Sequence, residues 1–184
     1  MADTINADTI NTDTITAQTL RFERDLAASI TTVWDYLIDP ELRARWLMGG
    51  PTDPRQGGKL GFTFNHDALS DGDVAAPERY AGNQGKAWSE TITRIEPPHL
   101  LAFTWNDGDA GEVTIELVDA GGGRTRLTLT HAGLRGPADA RNFGGGWAAH
   151  LAVLQKRLAG EPVPSFWALH AEAEARAAAA VGLD

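Results

Sequence analysis

The chain has 184 residues, enough for one domain with a sizeable core and some surplus at its ends. Hydrophobic residues make up 42% and charged residues 22%; Lys and Arg number 16 against 25 Asp and Glu, for a net charge of -9. That acidic balance, with no basic cluster, argues against nucleic acid and anionic membranes as partners. The absence of cysteine excludes disulfides, thiolate metal sites and cysteine nucleophiles.

No apolar run approaches the ~18 residues of a membrane span. The opening MADTINADTI has neither the basic start nor the apolar core of a secretory signal, so a cytoplasmic protein is expected. Residues 2 to 21 repeat with a period of five: ADTIN, ADTIN, TDTIT, AQTLR. Four such copies would make about one turn of a pentapeptide-type coil, too little to bury a core alone. Residues 1–18 therefore read as a mobile extension whose last copy runs into the first strand.

Thr19 to Leu26 alternates, with Leu20, Phe22 and Arg24 on one face, and predicts a strand. Ile30, Val33, Trp34 and Leu37 then recur at helical spacing within 27–38, with Ser29 or Thr31 as the cap. Asp39-Pro40 breaks that helix, and a second short one is expected over Glu41 to Trp46. Five more strands are predicted: 59–65 with Leu60, Phe62 and Phe64 on one face; 85–95 with Trp88, Glu90 and Ile92; 99–106 with Leu101, Phe103 and Trp105; 112–118; and 124–131 ending at His131. Residues 66–84 are polar and read as a long variable loop, and Gly121 to Gly123 as a hairpin turn.

The longest apolar stripe is Phe143, Trp147, Leu151, Leu154 and Leu158, which predicts a helix over 137–160 with Pro137 at its start and Gly160 at its end. Residues 161–184 form an alanine-rich tail with helical propensity, whose partner is either the body of the domain or a second copy in a homodimer. Strand, two short helices, five strands and a long helix predict an α+β fold. In it a curved antiparallel sheet of about six strands, within a domain spanning 19–160, grips the long helix.

Residues 33–37 before Asp39-Pro40-Glu41-Leu42, then Arg45-Trp46, resemble the opening of the SRPBCC superfamily. Arg94-Ile95-Glu96-Pro97-Pro98-His99-Leu100, Phe103-Thr104-Trp105, residues 123–131 and Gly146-Trp147 are similar to the pattern of the heat-shock-protein-90 ATPase activator homologues within it. The resemblance covers roughly 20–160 and implies the helix-grip fold, shared with START domains and birch-pollen-allergen-like proteins. Because that superfamily spans lipid carriers, polyketide cyclases and co-chaperones, it implies no single activity.

A gripped helix implies a cavity between helix and sheet. Its expected ligand-binding wall is Trp46, Phe62, Phe64, Trp88, Phe103, Trp105, Phe143, Trp147 and Leu151. The candidates for acid–base chemistry are Glu90, His131 and His150, each with a purely structural alternative: an outward-facing carboxylate or a hydrogen-bonded histidine. No metal-ligand spacing and no phosphate-loop or dinucleotide motif appears, so no metal or cofactor is expected. Gly144 to Gly146 read as a place of close approach between helix and sheet. Three functions follow: binding of a small hydrophobic or aromatic ligand, a cyclase or dehydratase using Glu90 or His131, and, from the resemblance alone, a co-chaperone module acting on a chaperone partner.

Overall fold

The computed structural model describes residues 11–183. A seven-stranded, wholly antiparallel sheet is formed by β1 (Asn11–Ile15), β2 (Thr19–Leu26), β3 (Lys59–Thr63), β4 (Ala87–Glu96), β5 (Leu100–Thr104), β6 (Glu112–Gly121) and β7 (Arg124–Ala132), in the order β1-β2-β7-β6-β5-β4-β3. Helices α1 (Ile30–Ile38) and α2 (Pro40–Ala44) follow β2. A single turn, α3 (Glu78–Ala81), lies in the loop before β4, and α4 (Pro137–Ala159) and α5 (Phe166–Ala180) end the chain. This is the expected α+β helix-grip architecture with one strand more than the sequence suggested.

The added strand comes from the repeat. Residues 11–15 pair with β2, Asn11 opposite Arg24 and Ile15 opposite Leu20. Arg24, 5% exposed, reaches Asp13 at 2.6 Å. The third repeat copy is thus an edge strand of the sheet, and the domain body begins before residue 19. The first two copies fall largely outside the described residues.

Alternation puts one row of side chains under α4. Ile92, Phe103, Val113, His131 and Leu20 stand opposite one another from β4 across to β2, all buried. Glu90 shares this inner face and is 1% exposed, whereas Val118, on the outer face, is exposed. The caps follow local chemistry. The Ser29 hydroxyl accepts from Thr32 N at the start of α1, and the Asp39 carboxylate accepts from Glu41 N and Leu42 N, so α2 begins at Pro40. Gly160 ends α4 at φ 71°, a left-handed value that a glycine adopts without strain.

Arg43, which the pattern did not single out, ties the region after α2 to the sheet. It is 1% exposed and donates to the carbonyls of Leu37, Met48, Gly50 and Gly61 and to the Thr52 hydroxyl. Burial pushes its pKa down to about 10, against the smaller opposing pull of Asp39.

Helix α5 packs along α4. The glycines make this possible: a Cβ on Gly145 would stand 2.7 Å from Glu174 Cα, and one on Gly144 would meet Ala177 Cβ at 3.2 Å and Leu20 Cδ2 at 3.5 Å. The close approach expected between helix and sheet is therefore mainly one between two helices, with only Gly144 also touching the sheet. Among the described residues no helix is long and apolar enough to cross a membrane.

Candidate functional site

A cavity of about 500 Å3 lies where α4, the β3–β5 end of the sheet, the 66–84 loop and the start of α5 meet. Helix α4 contributes Phe143, Trp147 and His150, which its pitch places on one face. Phe64 and Trp105 enter from residues just past β3 and β5, and Trp88 from β4 at the rim, 37% exposed. Helix α5 adds Trp167 and His170, and the loop adds His66 and Tyr80. The rings pack on one another: Phe64 stacks on His66 at 3.8 Å between centroids, Tyr80 on Trp167 at 5.1 Å, and Trp105 lies 5.2 Å from Trp147.

Of the expected wall, Phe64, Trp88, Trp105, Phe143 and Trp147 line this cavity. Trp46, Phe62, Phe103 and Leu151 do not. They are at most 1% exposed and belong to the closed hydrophobic core. Trp46 donates its indole N–H to Tyr36 O at 2.9 Å.

The acid–base candidates separate in the same way. Glu90 is off the cavity wall, and its carboxylate accepts from Thr104 Oγ1 at 2.7 Å, Asn106 N at 2.9 Å and Asp107 N at 3.0 Å. It therefore holds the β5–β6 turn, whose Asn106 and Asp107 adopt the left-handed φ values 52° and 54°. His131 has both ring nitrogens engaged: Nε2–H donates to Ala110 O at 2.8 Å and Nδ1 accepts from Trp147 Nε1 at 3.1 Å. It braces β7, the β5–β6 turn and α4, with nothing left for a substrate. Burial lowers its pKa to about 4.

His150 alone of the three faces the cavity. Its Nδ1 lies 2.8 Å from Trp46 O and so carries the hydrogen, which leaves Nε2 as an acceptor 3.1 Å from His66 Nε2. His66 must then donate through Nε2, and its Nδ1, buried and without a partner among the described residues, is a bare acceptor. Trp167 Nε1 is a buried donor without a partner. Desolvation, reinforced by the neighbouring histidines, drives His66 down to about 2, and burial holds His150 at about 4. Both are neutral near pH 7, polar handles in an apolar room.

Loop 66–84, read from its polarity as variable, is anchored. Asp71 accepts from Arg157 Nη1 and Val163 N, each at 2.6 Å, and Ser70 Oγ accepts from Phe166 N. These bonds seat His66 against Phe166 at 5.1 Å. Sequence reading missed His66, Tyr80 and His170; the usable signal was Trp167 and His170 three apart on one helix face. Among the described residues no group of three or more His, Asp or Glu is placed to hold a metal ion.

A family model described as Activator of Hsp90 ATPase homolog 1-like protein matches residues 27–159. Among solved structures, the chain is similar to the protein encoded by gene BPP1335 from Bordetella parapertussis, with 41% identity over 96% of this chain and 94% of that one and a TM-score of 0.77. CalU16 from Micromonospora echinospora shares 23% identity over 94% of this chain and 98% of its own, with a TM-score of 0.66. A conserved protein of unknown function from Enterococcus faecalis, EF2215, shares 18% over 95% and 92%, with a TM-score of 0.61. The last two speak to the fold alone. No curated protein gives a significant match. With the family model covering most of the gripped helix and sheet, the chain belongs to the Activator of Hsp90 ATPase homolog 1-like family, within the SRPBCC superfamily.

Proposed function

We propose that this protein binds a small hydrophobic or aromatic molecule in the cavity between α4, the sheet and α5. The observation that carries the reading is the space itself: about 500 Å3, walled by aromatic rings and bearing a few neutral polar groups and two arginines. Cavities of that size and lining are the usual form of small-molecule sites. The cyclase or dehydratase reading has less support, since Glu90 and His131 do not line the cavity and are held by hydrogen bonds to Thr104, Asn106 and Asp107 and to Ala110 and Trp147. His66 keeps a free acceptor, but a pKa of about 2 makes it a poor general base near pH 7. The co-chaperone reading keeps only the family description in its support.

Four of the six tryptophans line the cavity, so intrinsic fluorescence reports directly on occupancy. A library of hydrophobic and aromatic compounds is expected to contain members that quench or shift this emission and raise the melting temperature together. A library-wide blank in both readouts would remove the binding proposal.

A further inference from the structure

The mouth of the cavity is cationic although the chain is acidic. Arg79, on α3, and Arg141, on the first turns of α4, line it, and among the described residues no aspartate or glutamate does. Both guanidinium groups are part exposed, with side-chain exposures of 51% and 40%, so they stand where the apolar space meets water. Behind them lies one carboxylate, Glu174 of α5, which does not line the cavity.

That carboxylate is unequally shared. Arg79 grips it through both terminal nitrogens and lies over the Tyr80 ring. Arg141 is left with a 3.9 Å ionic approach of Nε to Glu174 Oε1, too long for a hydrogen bond, and a 3.3 Å contact from Nη2 to Asn142 Oδ1. Its Nε is buried without a hydrogen-bond partner among the described residues. An arginine fork with unused donors beside an aromatic room is suited to a planar anion attached to an apolar body.

Resting on the cavity reading above, we propose that the preferred ligands are aromatic or other apolar carboxylic acids. The ring system lies among Trp105, Trp147 and Trp167, and the carboxylate meets Arg141, with Arg79 beside it, at the mouth. Glu174 holds Arg79 in place and competes with the incoming anion for both arginines.

The probes are pyrenebutyrate and pyrenebutanol, which share a ring system and chain and differ in charge, titrated by energy transfer from tryptophan to pyrene. The wild-type protein is expected to bind the acid more tightly than the alcohol by at least about fivefold. Arg141→Gln should remove most of that preference, weakening the acid far more than the alcohol. Glu174→Gln should increase it, because it frees both guanidinium groups. A merely structural strap between α4 and α5 predicts instead a lower melting temperature in both variants and equal changes for the two probes. Equal affinities in the wild type, or an unchanged ratio in Arg141→Gln, overturn the carboxylate preference while the alcohol's binding preserves the cavity reading. If neither probe binds, the carboxylate proposal falls, while the cavity reading still stands or falls on the library screen.

Discussion

At the scale of single residues, polar groups on the inner face are settled by what they touch. Glu90 looked like an acid in a cavity because it shares a strand face with Trp88 and Ile92; the structure shows that face to be the buried one. Three donors from the β5–β6 turn converge on its carboxylate, so Glu90→Ala leaves two backbone N–H groups and a hydroxyl without their acceptor. The expected loss is about 3 kcal/mol of stability, measured by chemical denaturation. A change below about 1 kcal/mol would show that the turn holds itself.

The buried histidines give a pH dependence of definite sign. In the unfolded chain each takes up a proton near 6.5, while in the fold desolvation holds His131 and His150 at about 4 and His66 at about 2. Between these values the unfolded state binds more protons, so stability is full above pH 6.5 and falls as the pH drops. The cost is about 1.4 kcal/mol per pH unit for each histidine. Asp139 and Glu174, lowered by their arginine partners, add a loss at lower pH, their contribution fading only below unfolded values of 3.8 and 4.5, within the range His66 still spans. A steep fall in melting temperature between pH 6.5 and 4.5 is therefore expected. His131→Gln, with no proton to take up, should flatten the slope by about one proton; an unaltered slope would place the titration elsewhere.

At the scale of elements, period and punctuation made most of the fold legible. Alternation marked β2 through β7, and the Phe143-to-Leu158 stripe marked α4, because one buried face repeats at two residues in a strand and near four in a helix. What lay beyond periodicity was partnership. The third repeat copy joins the sheet edge although all its side chains are exposed or half-buried, so no hydrophobic pattern announced it. The partner of α5 was equally hidden, since alanine-rich faces say little about what they touch. The site divided along the same line: rings on strands and on α4 were visible, whereas His66, Tyr80 and Arg79 come from a loop without periodicity.

The glycines of α4 yield a paired expectation. Gly145→Ala pushes a methyl into the backbone of Glu174 and should lower the melting temperature, whereas Gly146→Ala meets nothing within 4 Å. Gly146→Ala should gain up to about 1 kcal/mol from helix propensity. A raised melting temperature in Gly145→Ala would show that α5 does not sit tightly on α4.

For the molecule as a whole, the sheet and α4 make a grip whose closed core is filled by Phe62, Phe103 and Leu151, while the aromatic cavity lies at one end. The segment matched by the family model stops at residue 159, the end of α4. Trp167 and His170, which help wall the cavity, and Glu174, which governs its charged mouth, all come after that point. The frame and part of its door are thus encoded separately. Changes in the last two dozen or so residues can therefore alter what the pocket admits, so long as Phe166 and Ala173 keep their places in the core and α5 keeps its close seat on Gly144 and Gly145.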